Sequence, residues 1–218
     1  MERRQFLKSI TTGAALSILY QNHIFSSNKS QDSRREVSYY NKLTGNAVEC
    51  LICPRHCHIP NQSRGYCGNK ENDKGFYYSL VYSKPCTVNI NDPIEKKPFF
   101  HFLPGATTYS LATVGCNLGC KFCQNWQISQ ATPEDSTSYN LSPSMVIEKA
   151  KSSKTPVIAF TYTEPIVFYE YMYDISSLAR QQGLQSVMVS NGFINEEPLR
   201  ALCQQLSAIK IDLKAFTE

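Results

Sequence analysis

Three features are absent from this 218-residue sequence, and each absence excludes a class of protein. No apolar run reaches the about 20 residues that a membrane-spanning helix needs, so we expect no permanent membrane span. The net charge of +4 comes without a long basic run or a basic helix face, so we expect no nucleic-acid partner. With 42% hydrophobic and 11% aromatic residues, the composition also lacks the bias of a disordered or fibrous chain.

Cysteine, in contrast, is abundant, and seven of the nine cysteines fall into two short clusters. The clusters are Cys50, Cys53, Cys57, Cys67 and Cys116, Cys120, Cys123. Such close spacing is typical of metal sites, whereas disulfides use dispersed pairs. Of the other two, Cys86 receives no role, and Cys203 lies in the apolar pattern LRALCQQL, which predicts a small buried residue.

The amino terminus has a basic start followed by a short, mildly apolar stretch. Arg3-Arg4 with Phe-Leu-Lys directly after it is similar to a twin-arginine export signal. The polar stretch SSNKSQDSRREVS that follows is typical of a linker. We therefore predict a signal and linker over residues 1–36, with export by the twin-arginine route and a cytoplasmic location as the alternative.

The first cysteine cluster belongs to a segment rich in Cys, Pro, Gly and His without a sustained period, which predicts a loop-rich knuckle organised by a bound ion. Four thiols favour a closed four-coordinate centre that holds zinc or a second iron–sulfur cluster. His56 and His58 are alternative ligands, and two disulfides compete if the chain is exported. Strand-like stretches and the irregular connection NDPIEKKPFFHFLPG complete this module, which we place at residues 37–104.

From residue 105 to residue 218, four strand-like runs alternate with helical patterns. The runs are TTYSLATVG, PVIAFTY, QSVMVSNG and AIKIDLK. Ser142 and Pro143 indicate the start of one helix, Pro165 and Gly183 bracket the next, and Asn195 is a candidate cap of the third. This order predicts an α/β fold with parallel strands and right-handed crossovers.

The second cysteine cluster follows directly from the first of these strands, so its loop lies at the carboxyl end of the sheet, where such folds bind ligands. Three thiolates can hold three corners of an iron–sulfur cubane and leave the fourth iron open to a small molecule. A zinc or structural role is the alternative, although no fourth cysteine of suitable spacing lies nearby.

Five motifs in this order resemble the radical S-adenosylmethionine (SAM) enzymes. They are DPIEKKPFFHFLPG, SLATVGCNLGCKFCQNWQISQ, FTYTEP, VSNGF and IDLKAF. More specifically, they resemble the radical SAM member of the AmmeMemoRadiSam group, related to the pyruvate formate-lyase-activating enzyme. The resemblance implies a partial TIM-like radical SAM barrel over residues 105–218. Since that barrel normally continues to six strands, we expect the chain to be a truncated piece of a longer protein.

The resemblance also implies which residues hold the cofactors. A [4Fe-4S] cluster would sit on the three cysteines of the second cluster, with SAM chelating the open iron. Phe122 would lie against the adenine, and Tyr162-Thr163-Glu164, in place of the usual Gly-Gly-Glu, would hold the ammonium group. The ribose and the carboxylate end of SAM would be served by Ser190, Asn191, Asp212 and Lys214. No catalytic residue beyond the cluster is assigned.

The expected function is reductive cleavage of SAM to methionine and a 5′-deoxyadenosyl radical, which abstracts hydrogen from an unknown substrate. A low-potential electron donor of the flavodoxin or ferredoxin type is an expected partner, and a protein substrate is a further one. The alternatives are a glycyl-radical-enzyme activase and a non-catalytic iron–sulfur electron-transfer protein or inactive barrel fragment.

Overall fold

The computed structural model describes residues 34–215, which belong to one compact unit. The predicted twin-arginine signal, including Arg3 and Arg4, lies outside the described residues. None of the helices between residues 34 and 215 has the length and the apolar character needed to cross a membrane.

Six short strands precede the main sheet: β1 (Arg35–Glu36), β2 (Tyr40–Lys42), β3 (Val48–Cys50), β4 (His58–Ile59), β5 (Lys70–Asp73) and β6 (Phe76–Ser79). They form two three-stranded antiparallel sheets, in the orders β1-β6-β5 and β2-β3-β4. This segment therefore has more regular structure than the loop-rich knuckle that its composition predicts. The physical reason is that strands of two to four residues are too short to show an alternating pattern.

The rest of the described chain builds one five-stranded sheet with helices between its strands. Its elements are β7 (Thr87–Pro93), β8 (Thr107–Ala112), α1 (Trp126–Ser129), α2 (Pro143–Ser152), β9 (Val157–Phe160), α3 (Tyr169–Gln181), β10 (Gln185–Ser190), α4 (Glu196–Cys203) and β11 (Ala208–Ile211). The strand order is β11-β10-β9-β8-β7, and β8 to β11 are parallel, which confirms the predicted α/β arrangement. Within residues 34–215 the sheet does not close into a barrel.

The stretch CTVNI has the composition of a strand, but its antiparallel pairing at the edge of the main sheet was not expected from the sequence. Strand β7 pairs antiparallel with β8 and runs to Pro93, into the segment that the prolines predict to be irregular. The register shifts between Asn89 and Asp92, so a bulge admits the irregular residues without ending the strand.

The strands are buried on both sides, as is usual for a parallel sheet. In β9, Ile158 and Phe160 belong to the larger hydrophobic cluster, whereas Val157 and Ala159 belong to a smaller one that includes Phe99. Successive side chains of a strand point to opposite faces, so one continuous apolar run supplies both clusters.

The amino-terminal sheets share the larger cluster with the main sheet. Val48, Ile59 and Tyr77 from the small sheets are buried in the same cluster as Leu111 and Phe160. The cysteine-rich segment is therefore packed as part of the core and positions its thiols relative to the main sheet.

The helix ends agree with the sequence at two places and differ at one. Ser142 caps α2 by accepting a hydrogen bond from the backbone N–H of Met145 at 3.3 Å. A 3-10 turn opens at Pro165 before α3, and Gly183 follows that helix with a φ of +75°. Asn195 occupies the N-cap position of α4, but its side chain makes no cap hydrogen bond and instead donates to the carbonyl of Leu51.

The prediction that Cys203 is a small buried residue is wrong. Cys203 is exposed at the last position of α4. In this amphipathic helix the neighbouring Leu202 fills the buried position, so the next residue faces solvent.

Candidate active site

One cavity of about 630 Å³ opens at the carboxyl end of the parallel strands. It is lined by residues that follow β8, β9 and β11 and by the end of β10, which is where ligands bind in open α/β sheets. All of the residues predicted for the [4Fe-4S] cluster and SAM line it: Cys116, Cys120, Cys123, Phe122, Tyr162, Thr163, Glu164, Ser190, Asn191, Asp212 and Lys214. The structure therefore brings together residues that span almost a hundred positions of sequence, and their roles stay predictions.

The loop that carries the three thiols is closed by backbone hydrogen bonds. The N–H of Gly115 donates to Ile128 in α1 at 2.9 Å, and the N–H of Cys123 donates to Cys120 at 3.2 Å. The thiol of Cys123 lies 3.3 Å from the hydroxyl of Ser129. These contacts fold the loop back on itself, so that all three half-buried thiols face one space.

The thiol of Cys116 is in an environment that favours its neutral form in the absence of a cation. Burial raises its pKa to about 11, although the N–H of Leu118 donates to the sulfur and opposes the shift. A bound cation reverses this preference, because a metal-coordinating thiol loses its proton.

The donor set fits a [4Fe-4S] cluster with one open iron. Three soft sulfur donors share a cavity large enough for a cluster and a small molecule, and no fourth cysteine of the described chain lines that cavity. Between residues 34 and 215, no group of three or more His, Cys, Asp or Glu side chains already has metal-binding geometry. The thiols would converge by rotation about the Cα–Cβ bond, which has three staggered positions.

Glu164 is a buried carboxylate among the predicted SAM contacts. Its carboxylate accepts from the hydroxyl of Ser190 at 2.7 Å, from the N–H of Asn191 at 2.8 Å and from the N–H of Ile166 at 3.4 Å. Burial raises its pKa to about 7, and the hydrogen bonds from Asn191 and Ser190 oppose that shift. The carboxylate thereby connects the end of β9 to the end of β10 and places a titratable group beside the cavity.

Asn191 connects β10 to the cysteine loop. Its side-chain amide donates to Asn117 at 2.8 Å, and its oxygen accepts from the N–H of Phe193 at 2.9 Å. Asn117 in turn donates to the carbonyl of Phe193 at 3.0 Å. The predicted ribose contact is therefore also a structural link between two of the segments that line the cavity.

Tyr162 adopts a φ of +69°, a conformation that glycine reaches without strain. The carbonyl of Tyr162 accepts from Asn125 at 2.8 Å, and its phenol is held by Lys97 at 2.9 Å and Asp92 at 2.9 Å. Side-chain contacts therefore hold Tyr162 in a backbone conformation that costs energy for a non-glycine residue.

Asp212 and Lys214 lie just after β11, which ends at Ile211, and not on the strand itself. The ammonium of Lys214 donates to Asp212 at 2.8 Å, and Lys210 pairs with the other oxygen. Burial alone would raise the pKa of Asp212, but the hydrogen bonds from Lys210 and Lys214 leave it lowered. The carboxylate is thus held ionised between two lysines.

Sequence reasoning missed Lys97, which lines the cavity, and two residues that bind Lys97 or Tyr162. Lys97 is 3% exposed and pairs with Asp92 at 2.8 Å, and Asn89 donates to the phenol of Tyr162 at 2.8 Å. Asp92 and Lys97 belong to the motif DPIEKKPFFHFLPG, which carries part of the family resemblance without indicating a site role for either residue. The available signal was the presence of two opposite charges, Asp92 and Lys97, next to the apolar part of that motif, where a buried ion pair could form.

The first cysteine cluster is also brought together. Cys50, Cys53, Cys57 and Cys67 line a second cavity, of about 20 Å³. All nine cysteines are described and free, so neither disulfide that the sequence allows is present. His56 does not line this cavity, because its ring contacts Glu49 and Asn195 instead, and His58 does not line it either.

Comparison with known proteins agrees with this geometry. The sequence model of the Radical SAM superfamily matches residues 110–218, which is half of the chain. An uncharacterized protein of Methanocaldococcus jannaschii is 48% identical over 180 residues, which cover 83% of this chain and 53% of that relative. The chain therefore spans about half the length of the curated relative that it matches.

Proposed function

Because the chain belongs to the radical SAM superfamily, we propose that it is an enzyme that holds a [4Fe-4S] cluster on Cys116, Cys120 and Cys123 and binds SAM in the same cavity. Such a cluster supplies, when bound and reduced, the single electron for reductive cleavage of SAM. The proposed reaction type is hydrogen abstraction from a substrate. The observation that supports it best is the meeting of the three thiols with all the predicted SAM contacts in one cavity.

Hydrogen-bonding capacity supports the proposed contacts to the two ends of the amino acid part of SAM. In Glu164, Oε1 accepts two hydrogen bonds but Oε2 only one, so Oε2 retains acceptor capacity for an ammonium group. The ammonium of Lys214 uses one donor on Asp212 and keeps others for a carboxylate. We propose that these two side chains hold opposite ends of the amino acid.

The remaining contacts suit a nucleoside. Ser190 donates to Glu164 and accepts from the N–H of Gly192, which leaves one acceptor position on its hydroxyl for a ribose hydroxyl. Asn191 uses one of its two amide hydrogens on Asn117. Phe122, which is 72% exposed beside Cys123, offers an apolar ring face to the adenine.

The test is anaerobic reconstitution, followed by iron and sulfide analysis and electron paramagnetic resonance of the reduced protein with and without SAM. We expect a [4Fe-4S]+ signal that SAM changes, and formation of 5′-deoxyadenosine. The triple variant C116A/C120A/C123A should lose the signal, whereas C203S, which changes an exposed thiol away from the cavity, should keep it. If the cluster is complete but SAM does not change its spectrum and no 5′-deoxyadenosine forms, the enzyme hypothesis is refuted. The chain would then be interpreted as an electron-transfer protein.

We also propose the finer relationship to the AmmeMemoRadiSam group and to the pyruvate formate-lyase-activating enzyme. It is supported by Asp92 and Lys97 of the shared motif, which hold Tyr162 beside the cavity. A protein substrate, as an activase would need, is favoured by exposed apolar side chains at and beside this cavity. Phe122 lines it, and Leu213, which is 77% exposed, lies between the lining residues Asp212 and Lys214. Deuterium transfer from a glycine-deuterated peptide into 5′-deoxyadenosine would support that candidate, and its absence with an active enzyme would count against it.

Two further proposals concern the source of electrons and the export of the protein. We propose a flavodoxin or ferredoxin as the electron donor. If neither type of donor can replace the chemical reductant in the assay for 5′-deoxyadenosine, this proposal is contradicted. We propose that the Arg3-Arg4 segment directs export by the twin-arginine route. A reporter fused after Ser30 that stays in the cytoplasm would refute it.

A further inference from the structure

The two cysteine cavities differ in size by more than an order of magnitude. The one lined by Cys50, Cys53, Cys57 and Cys67 has a volume of about 20 Å³, against about 630 Å³ for the cavity of the three-cysteine loop. A cavity needs roughly 10–15 Å³ of such volume to hold a single water molecule. The four-thiol cavity therefore admits one ion-sized sphere, whereas the eight heavy atoms of an iron–sulfur cubane do not fit without separation of its walls.

The walls of the small cavity favour a dry, closed site. Apolar side chains, including Ile52, Tyr77 and Val167, complete the lining around the thiols. The N–H of Cys50 on β3 donates to the carbonyl of Cys57 at 3.0 Å, which holds the backbones of two of the four cysteines together. As they stand, the four thiols do not have metal-binding geometry, but rotation about their Cα–Cβ bonds would bring them around a space for one ion. That arrangement would match a structural zinc site, which is tetrahedral and leaves no open position.

Two cations line the same cavity. Lys70 is 1% exposed, and its ammonium donates to the carbonyl of Val167. Arg55 stacks at 3.6 Å over the ring of Tyr66. A divalent ion with four thiolates carries two negative charges, and buried charge is tolerated when it is paired. Lys70 and Arg55 therefore offset this charge in part, since Lys70 also lies near the buried carboxyl group of Glu170.

The four-thiol site is also in contact with the loop of the other cavity. A Cβ atom on Gly115 would lie 2.5 Å from the carbonyl oxygen of Cys67, so the two backbones touch next to Cys116. Asn69 donates to the carbonyl of Val114 at 2.8 Å, and Arg55 donates to the carbonyl of Asn117 at 2.7 Å. The segment that leads into the three-cysteine loop thus rests on residues beside the four thiols.

We propose that Cys50, Cys53, Cys57 and Cys67 bind one zinc ion, and that this ion fixes the backbone on which the three-cysteine loop is positioned. Zinc does not change its oxidation state, so the site holds structure and carries no electrons. The positioning role rests on the function proposed above, whereas the zinc site itself does not.

The zinc site is tested on the full-length C116A/C120A/C123A variant, purified anaerobically from medium that contains both iron and zinc. We expect about one zinc per chain with negligible iron, and an X-ray absorption spectrum at the zinc edge with sulfur neighbours only, at about 2.3 Å. C203S should retain the zinc, and C67S should lose it. Iron with sulfide at this site, or two disulfides found by mass spectrometry of the unreduced protein, would overturn the proposal. Because this variant lacks the thiols of the three-cysteine loop, the result is independent of SAM chemistry.

Positioning is tested on the wild-type chain, which avoids variants that fail to fold. Zinc is removed with a chelator, and hydrogen–deuterium exchange is compared for residues 113–118 and for α2, whose residues line neither cysteine cavity. We expect exchange in residues 113–118 to rise at least tenfold and iron loading of the three-cysteine loop to fall, with recovery when zinc is restored. Unchanged exchange and full iron loading after complete removal of zinc would refute the positioning role while leaving the SAM enzyme intact.

Discussion

Substitution of Gly115 by alanine should destabilise the fold through one identified contact. Gly115 has a φ of +99°, and a Cβ there would lie 2.5 Å from the carbonyl oxygen of Cys67 and 2.9 Å from the amide nitrogen of Asn69. The first neighbour is backbone and cannot rotate away, so part of the chain must move. A positive φ costs a residue with a Cβ about 1–2 kcal/mol, and forced overpacking adds about 1–3 kcal/mol.

A matched control separates these two contributions. Gly105 has a φ of +79°, and no atom lies within 4 Å of the position that a Cβ would take there, so G105A should show only the conformational cost of about 1–2 kcal/mol. We expect urea denaturation, followed by circular dichroism on protein without added iron, to show a total loss of about 2–5 kcal/mol for G115A. Equal stability of the two variants within about 0.5 kcal/mol would refute the reasoning, since it would mean that the loop and Cys67 are not in contact.

Two other predictions concern the cavity itself. Burial raises the pKa of Glu164 to about 7, so the folded protein keeps this proton to higher pH than the unfolded chain does. The free energy of unfolding should therefore fall as pH rises from 5 to 8. The fall should be smaller in E164Q, which has no carboxyl group to titrate at this position. A pH profile of urea midpoints that is the same for both proteins would contradict this. The variant K97M leaves Asp92 without its buried partner and removes one of the three hydrogen bonds at the phenol of Tyr162. We therefore expect a loss of about 3 kcal/mol in the free energy of unfolding, and weaker SAM binding by calorimetry. The control K96M changes a lysine that is 67% exposed, and a loss from K96M as large as that from K97M would argue against the buried network.

The main sheet was predictable because its signals are local. Continuous apolar runs such as Val157–Phe160 indicate strands buried on both faces, and Ser142 with Pro143 gives the start of α2. The meeting of the site residues at one cavity also followed from topology, since parallel strands end at the same edge of a sheet.

What could not be predicted depends on contacts between distant parts of the chain. Asn195 has the sequence signal of a cap, yet its amide is used on Leu51, almost 150 residues earlier. The pairing of Lys97 with Tyr162 joins positions 65 residues apart, and no pattern in either segment specifies it. The assignment of a sulfur-rich segment to zinc or to iron–sulfur depends on the space between the thiols, which cysteine spacing alone does not determine.

The hydrophobic cluster that joins the cysteine-rich segment to the main sheet limits how this chain can be recombined. Val48, Ile59 and Tyr77 share one hydrophobic cluster with Leu111 and Phe160, so a graft of the first hundred residues from a relative must also bring side chains that pack at this cluster. A chimera that exchanges only one side should express poorly even if every cysteine is kept. The segment therefore depends on the main sheet for its burial, and it is a poor candidate for transfer to another protein as a separate module.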